Sequence, residues 1–183
     1  MTELTHNPAA PLPTLAVVVS RYNASITDCL LEGARAAYEQ TGGDPLSLHI
    51  IGAPGAFELT ALSAAAARTG RFAGVVALGC LIKGETRHDR YIASAVAHGL
   101  TEVTIRTGVP VAFGLITANT PKQARERAGG VKGNKGSEAM VAVLNTIAAI
   151  TDLGPVLSSS ARIIPVSRPL PDKARAAAAR GTA

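Results

Sequence analysis

The chain has 183 residues, of which 47% are hydrophobic, 17% charged and only 3% aromatic, a composition that predicts one compact domain with an aliphatic core rather than two domains. The formal net charge is +5, but the segment from Thr151 onward holds five basic and two acidic residues, 5 − 2 = +3. The remaining charge shows no basic stripe interleaved with aromatics, so a nucleic-acid-binding function is not favoured.

Four apolar runs predict the strands of a parallel sheet. Three of them are rich in β-branched residues and nearly continuous, which is typical of strands covered on both faces. They span residues 14–20, 74–82 and 109–116. The fourth run, at residues 46–51, is shorter and includes His49, so it predicts an edge strand.

Helical patterns separate these runs. The first three helices are predicted to begin near Ser25, Ala56 and His88 and to end at Gly42, Gly70 and Gly108. A fourth start has Thr120 as N-cap, Pro121 at the first helical position and Gln123 as a capping-box residue. The last helix, at 137–150, is apolar on more than one face, which predicts cover by a partner subunit.

This alternation predicts an α/β fold, a flavodoxin-like three-layer sandwich in which helices cover both faces of a four-stranded parallel sheet. The domain is expected to span residues 14–150, between a flexible N-terminal segment, 1–13, and a disordered basic tail, 151–183. Cys29 and Cys80 are far apart and predict buried free thiols in a reducing cytoplasm. No signal peptide or membrane-spanning run is recognisable, which favours a cytoplasmic protein.

Ligands of such sheets bind outside the carboxyl ends of the strands. Tyr22 and Phe57 follow the first two strands; both could be core aromatics, but among only three Phe and three Tyr they could also stack on a flat heterocycle. Glu58 and the amides of the turn at 52–58 could meet a polar ligand. A glycine-rich stretch near the last helix has Asn134 where a Walker A motif requires glycine, which argues against nucleoside triphosphates.

The stretch LIKGETRH, residues 81–88, joins the third strand to the third helix. Gly84 allows close approach of the backbone, Thr86 offers a hydroxyl, and the first amides of the helix can bind an anion such as phosphate. His88 could carry protons near neutrality or be an ordinary surface histidine. Arg127 could be a solvated charge or an anion clamp, and spacing alone cannot bring it to His88.

Six motifs, in this order, resemble the 6,7-dimethyl-8-ribityllumazine synthase family: SRYN, GAPGAFEL, ALGCLIKGETRHDRYIA, TGVPVAFGLIT, QARERAGG and KGNKGSEA. The resemblance covers about residues 15–150. It implies condensation of 5-amino-6-(D-ribitylamino)uracil with 3,4-dihydroxy-2-butanone 4-phosphate, the penultimate step of riboflavin biosynthesis, without metal or organic cofactor. It also implies homopentamers with active sites between subunits, in some members stacked as pairs and in others closed into icosahedral shells, and riboflavin synthase as a further partner.

The resemblance also implies roles for individual residues, with His88 as the proton carrier. The pyrimidine and ribityl chain are expected to contact Tyr22, Ala56, Phe57, Glu58, Cys80, Leu81, Ile82 and, from a neighbouring subunit, Phe113. The phosphate is expected to contact Glu85, Thr86 and Arg127. Lys135 and Glu138 are expected to support the site, near Arg127 and His88 respectively.

The sequence departs from the family pattern at two places. Tyr22 replaces the usual Phe or Trp, and Asp89-Arg90 replaces an aromatic residue and an acid. Asp89 could act on His88 or pair with Arg87 or Arg90. These departures leave open an alternative function, a lumazine- or flavin-binding or shell-forming protein with weak catalysis.

Overall fold

A computed structural model describes residues 12–154 of the protein. The strands of the main sheet are Leu15–Ser20 (β1), Leu48–Ala53 (β2), Gly74–Ile82 (β3) and Val111–Ala118 (β4). The helices are Ala24–Gln40 (α1), Leu59–Arg68 (α2), His88–Thr107 (α3), Pro121–Glu126 (α4) and Lys135–Asp152 (α5). Ala128–Gly130 (β5) and Gly133–Asn134 (β6) form an antiparallel hairpin, and a short 3-10 helix, Pro45–Ser47, precedes β2.

The four main strands are parallel and lie in the order β2-β1-β3-β4. This arrangement, with helices on both faces, confirms the predicted fold class. The prediction that the strand containing His49 lies at an edge is also confirmed. β4 forms the opposite edge, where Phe113 and Thr117 are exposed, so the prediction that this run is covered on both faces was wrong.

Two apolar cores lie on the two faces of the sheet. Side chains alternate along a strand, so Val17 and Val19 point into the core beneath α1 and α5, whereas Ala16 and Val18 point into the core beneath α2 and α3. All four side chains are fully buried. Burial of both faces explains why the strand runs read as continuous apolar segments.

Several predicted element ends are confirmed. α3 begins at His88 and ends before Gly108, which has a φ of 71° that favours glycine. At α4 the hydroxyl of Thr120 accepts the Gln123 N–H at 3.2 Å, while Gln123 Oε1 accepts the N–H of Asn119 at 2.9 Å. The predicted start of α4 is therefore correct, although the glutamine caps the residue before the N-cap.

Asn134 links α5 to α1. Its amide donates to the Cys29 carbonyl oxygen at 2.9 Å, and its Oδ1 accepts the backbone N–H groups of Gly136 at 2.8 Å and Ser137 at 3.2 Å. Asn134, the residue that argues against a Walker motif, thus caps the start of α5. Cys29 itself is exposed, because it lies on the outer side of α1, so the prediction that both thiols are buried was wrong for Cys29.

At the ends of the described chain, Leu12 packs against the core beneath α1 and α5, and the Pro13 carbonyl accepts the Tyr38 hydroxyl at 3.0 Å. The predicted tail lies outside the described residues from position 155 onward, as does the predicted N-terminal segment up to position 11. Within residues 12–154, no helix is long and apolar enough to span a membrane.

Candidate active site

A cleft opens at the carboxyl ends of β1, β2 and β3, and we call it the aromatic cleft. It is lined by Tyr22, Asn23, Gly55, Ala56, Phe57, Glu58, Leu81, Ile82, Gly84, Thr86, His88, Asp89 and Ile92. Most residues predicted to contact the pyrimidine therefore lie together, and they share this cleft with His88. The sheet edge places them there, because β1, β2 and β3 all end at the same side.

Two exposed aromatic rings line the aromatic cleft. Tyr22 is 68% exposed and Phe57 is 60% exposed, so neither is a core aromatic. Each stands on the turn that follows its strand, β1 for Tyr22 and β2 for Phe57. Exposed rings beside a cleft offer flat apolar faces, which suit stacking on a planar heterocycle.

Asn23 fixes the turn that carries Tyr22. It adopts a left-handed conformation, with φ 60° and ψ 43°, which Asn tolerates better than most residues. Its side-chain amide donates to the carbonyl oxygen of Cys80 at 3.0 Å and so ties the end of β1 to β3. Sequence reasoning missed this role: an asparagine shortly after a strand signals a turn, but not a bond to a distant strand.

Cys80 contributes to the aromatic cleft through its backbone, not through its side chain. Its side chain is fully buried, and burial raises the pKa of the thiol from 9.0 to about 11. Because of this raised pKa, the thiol stays protonated at neutral pH. Because it is buried, it does not line the cleft. Its carbonyl, which accepts from Asn23, is the part of Cys80 that acts on the site.

Glu58 stands at the N-cap of α2 and is half-buried. Its carboxylate lies over Gly55, where an added Cβ would come within 2.9 Å of Oε2. A side chain at this position would displace the carboxylate. Gly55 therefore leaves room for an acceptor that faces the aromatic cleft.

His88 is the first residue of α3 and is exposed. Its backbone N–H donates to the Thr86 hydroxyl at 3.4 Å, two residues back along the chain, whereas the N-cap residue Arg87 makes no side-chain capping bond. The backbone amides of the first turn of a helix can stabilise an anion, and α3 is the element that follows β3 along the chain. The His88 imidazole and the backbone amides of the first turn therefore lie at the same end of α3.

Two further clefts adjoin the aromatic cleft, and together we call them the charged groove. One is lined by Lys83, Glu85, Thr86, Arg87, Asp89, Arg90 and Asn119. The other is lined by Asp89, Arg90, Ala93, Thr117, Ala118, Asn119, Gln123 and Arg127. The groove contains all three residues predicted to bind phosphate, together with cations that sequence reasoning did not assign to the site, Lys83, Arg87 and Arg90.

The aromatic cleft and the charged groove meet at Thr86 and Asp89, which line both. Arg127 reaches the groove from the end of α4, where one guanidinium N–H donates to the Gln123 carbonyl oxygen at 3.3 Å. The fold therefore brings Arg127 to the same surface as His88, through Asp89, which sequence spacing could not show.

Besides Cys80, three predicted residues lie outside these clefts. Phe113 is in the middle of β4 and is 47% exposed. Lys135 and Glu138 form an ion pair at the start of α5, and the Lys135 backbone N–H donates to the Arg127 carbonyl oxygen at 2.8 Å. Lys135 is thus beside Arg127, whereas the proximity of Glu138 to His88 stays a prediction. In the part of the chain that the structure describes, no three His, Cys, Asp or Glu side chains form a metal-binding group.

An open parallel sheet with an aromatic cleft and a charged groove at its carboxyl edge defines an α/β protein suited to binding a flat ring beside an anion. Comparison with known proteins identifies the family within this class. A sequence model of the 6,7-dimethyl-8-ribityllumazine synthase family matches residues 13–151.

Individual relatives agree with this match. The chain is 44% identical over 133 residues to the 6,7-dimethyl-8-ribityllumazine synthase of Thermus thermophilus, covering 73% of this chain and 85% of that protein. It is 44% identical over 135 residues to 6,7-dimethyl-8-ribityllumazine synthase 1 of Caulobacter vibrioides, covering 74% and 88%. It is 40% identical over 140 residues to the synthase of Campylobacter curvus, covering 76% and 90%.

The chain belongs to the 6,7-dimethyl-8-ribityllumazine synthase family, a family of enzymes. The alternative of a binding or shell-forming protein with weak catalysis is not favoured, because these relatives are named as synthases.

Proposed function

We propose that this chain is a transferase that condenses 5-amino-6-(D-ribitylamino)uracil with 3,4-dihydroxy-2-butanone 4-phosphate. The products are 6,7-dimethyl-8-ribityllumazine, phosphate and water. One observation carries the proposal: in a chain of this family, a cleft with two exposed rings adjoins a groove with four cations, and His88 stands beside the junction. The two regions match a planar pyrimidine and a phosphorylated ketone.

The pyrimidine is assigned to the aromatic cleft. The rings of Tyr22 and Phe57 stack on it, and Glu58 accepts hydrogen bonds from its polar groups or from the ribityl chain. Leu81 and Ile82 line the same cleft at the end of β3, where backbone groups can read the edge of the ring. These contacts fix the amine that must attack the ketone.

The phosphate is assigned to the charged groove. Arg127 supplies a guanidinium that can bind two phosphate oxygens, and the Thr86 hydroxyl and the first amides of α3 supply further donors. Glu85 lies in the same groove, and its backbone, rather than its carboxylate, suits an anion. Anchoring the phosphate places the carbonyl carbon of the ketone at the junction.

The reaction at the junction forms two C–N bonds. The aromatic amine attacks the ketone carbon and water leaves as the imine forms; the hydroxyl-bearing carbon then loses a proton, and phosphate leaves from the neighbouring carbon. The resulting enol becomes a second ketone, which the ribitylamino nitrogen attacks, and closure of the ring releases a further water. The His88 imidazole takes and returns these protons, which contributes about 10² to 10⁴ in rate. Holding the two reactants together contributes up to roughly 7 to 11 kcal/mol.

The proposal is tested by mixing the purified, assembled protein with both substrates. Lumazine absorbance and fluorescence should rise well above the uncatalysed rate, and His88→Ala should remove most of the gain. A folded wild-type protein that gives no rise would overturn the proposal. Tight riboflavin binding with turnover that is the same in wild type and His88→Ala would favour the binding-protein alternative instead.

We also propose that the protein forms homopentamers that close into icosahedral assemblies, with active sites between subunits. Phe113 supports this, because its half-exposed ring lies outside the clefts of its own chain and could cover the pyrimidine of a neighbour. Val141 and Ile150, exposed on α5, offer apolar surface for contacts between subunits. Light scattering and negative-stain microscopy should show particles much larger than a pentamer; a pentamer or monomer would contradict the shell.

Two further assignments rest on the family and on the cysteines. We propose a cytoplasmic location, which two free thiols, Cys29 and Cys80, support because reducing compartments preserve them. We propose riboflavin synthase as a partner, since an enzyme of that class consumes the lumazine. Co-purification of the two enzymes from cytoplasmic extract would test both assignments.

A further inference from the structure

Asp89 occupies the point where the two halves of the site meet. It is the second residue of α3, and it lines the aromatic cleft and both parts of the charged groove. One carboxylate oxygen, Oδ1, is fully buried and has no hydrogen-bond partner among residues 12–154. Asp89 forms no ion pair within that range either, although Arg90 and Arg127 line the same groove.

A buried carboxylate oxygen without a donor is unfavourable, because it has lost water and gained nothing in return. The two other orphaned side-chain oxygens belong to Ser20 and Ser63, which are neutral and fully buried inside the fold. Asp89 differs from them because it lines clefts that a ligand can enter. Rotation of its carboxylate would bring Oδ1 to the cleft surface, where a donor from the ligand would satisfy it.

The phosphate cannot be that partner, since two anions repel each other, and the cations of the groove suit the phosphate instead. A ketone anchored by its phosphate in the groove carries a hydroxyl on the carbon next to the phosphorylated one. This hydroxyl is a hydrogen-bond donor, and it lies between the phosphate and the carbonyl carbon at the junction. Asp89 lies in the same interval between groove and cleft.

We propose that Asp89 is a specificity-determining residue whose carboxylate accepts a hydrogen bond from the hydroxyl adjacent to the phosphorylated carbon. The inference rests on the proposed function and deepens it by naming the group that distinguishes the hydroxylated ketone phosphate from other phosphate esters. A site built to bind a hydroxyl discriminates strongly against ligands that lack it, because its own polar group is then left unpaired.

The test compares three probes on the full-length, assembled protein by isothermal titration calorimetry. The probes are inorganic phosphate, propyl phosphate and 2-hydroxypropyl phosphate, and the last two differ by one hydroxyl. The variants are Asp89→Leu, which removes the acceptor, and Asp89→Asn, which keeps an acceptor oxygen without the charge. Glu102→Gln, an exposed acid near the other end of the same helix, is the matched control.

Wild type and Glu102→Gln should bind 2-hydroxypropyl phosphate about 10-fold more tightly than propyl phosphate, as expected for a hydrogen bond to a charged group. Asp89→Leu should abolish this difference while leaving the affinity for inorganic phosphate unchanged, and Asp89→Asn should be intermediate. In turnover assays, Asp89→Leu should raise KM for the ketone about 10-fold and leave KM for the pyrimidine unchanged.

Equal weakening of all three probes in Asp89→Leu would overturn the proposal, because Asp89 would then act by orienting Arg127. A raised KM for the pyrimidine alone would also overturn it, since Asp89 would then face the other substrate. If wild type forms no lumazine, the proposed function is refuted. The binding measurements still report the hydroxyl preference, so the proposal for Asp89 is judged separately. If Asp89→Leu does not fold, as judged by circular dichroism, the isosteric Asp89→Asn alone decides: a halved or smaller hydroxyl preference supports the proposal, and an unchanged one refutes it.

Discussion

The aromatic cleft and the charged groove lie side by side at one edge of the sheet, yet they offer a ligand opposite chemistry. The cleft presents Tyr22 and Phe57, two rings more than half exposed, on the turns after β1 and β2. The groove presents guanidinium and ammonium groups from the loop before α3, from the first turn of α3 and from the end of α4. Under the proposed function this difference matches one planar and one phosphorylated substrate, and we expect each region to bind its own substrate independently.

The largest effect is expected at the junction, from His88→Ala. Loss of the proton carrier should lower kcat about 10² to 10⁴-fold and change both KM values much less. His98→Ala is the matched control, because His98 lies exposed on the same helix with its Nδ1 2.7 Å from the Ser94 carbonyl oxygen. A loss of only a few-fold in kcat for His88→Ala would mean that the imidazole does not carry the rate-limiting proton.

Arg127→Ala should affect the charged groove alone. Removal of a charge-assisted bond to phosphate should raise KM for the ketone about 10- to 100-fold and leave KM for the pyrimidine near its wild-type value. Arg106→Ala serves as control, since the ion pair that Arg106 forms within residues 12–154 is an exposed one with Glu102, at 3.4 Å on α3. Equal increases in both KM values would show that the two regions are not separate.

Tyr22→Leu should affect the aromatic cleft alone. Loss of stacking costs about 0.5 to 1.5 kcal/mol, so KM for the pyrimidine should rise roughly 2- to 12-fold while KM for the ketone stays constant. Tyr22→Phe keeps the ring and should behave like wild type. If Tyr22→Phe is as weak as Tyr22→Leu, the hydroxyl rather than the ring makes the contact.

Ionic strength should produce the smallest change, and only KM for the ketone should change. Raising salt from about 0.1 M to about 1 M shortens the screening length from roughly 10 Å to roughly 3 Å. KM for the ketone should then rise about 2- to 3-fold, because its phosphate is held by charges at the surface, and KM for the pyrimidine should not. Parallel steady-state titrations at both salt concentrations provide the comparison, and a matching rise for the pyrimidine would contradict it.

The sequence predicted most of the fold, because burial on both faces leaves a clear apolar pattern in β1 and β3. The predicted bounds of β4 were displaced, since Val109 and Pro110 are apolar but precede the strand, which begins at Val111. The hairpin Ala128–Gly130 and Gly133–Asn134 was missed, because strands of three and two residues have too few positions to show alternation.

The site was less predictable than the fold. Motif order placed Tyr22, Phe57 and His88 at strand ends, and their common cleft follows from the parallel sheet. The bond from Asn23 to the Cys80 carbonyl joins residues 57 positions apart, and no local pattern signals it.

The separation of the two regions is tested most directly by two titrations of the pyrimidine substrate into His88→Ala protein. One titration contains saturating inorganic phosphate and the other contains none. The variant should bind the pyrimidine without turnover. If the aromatic cleft and the charged groove bind their ligands independently, the Kd for the pyrimidine should agree within about 2-fold in the two titrations, a difference of about 0.4 kcal/mol. An apparent Kd that rises in proportion to the phosphate concentration would show that both ligands compete for one site and would contradict the account.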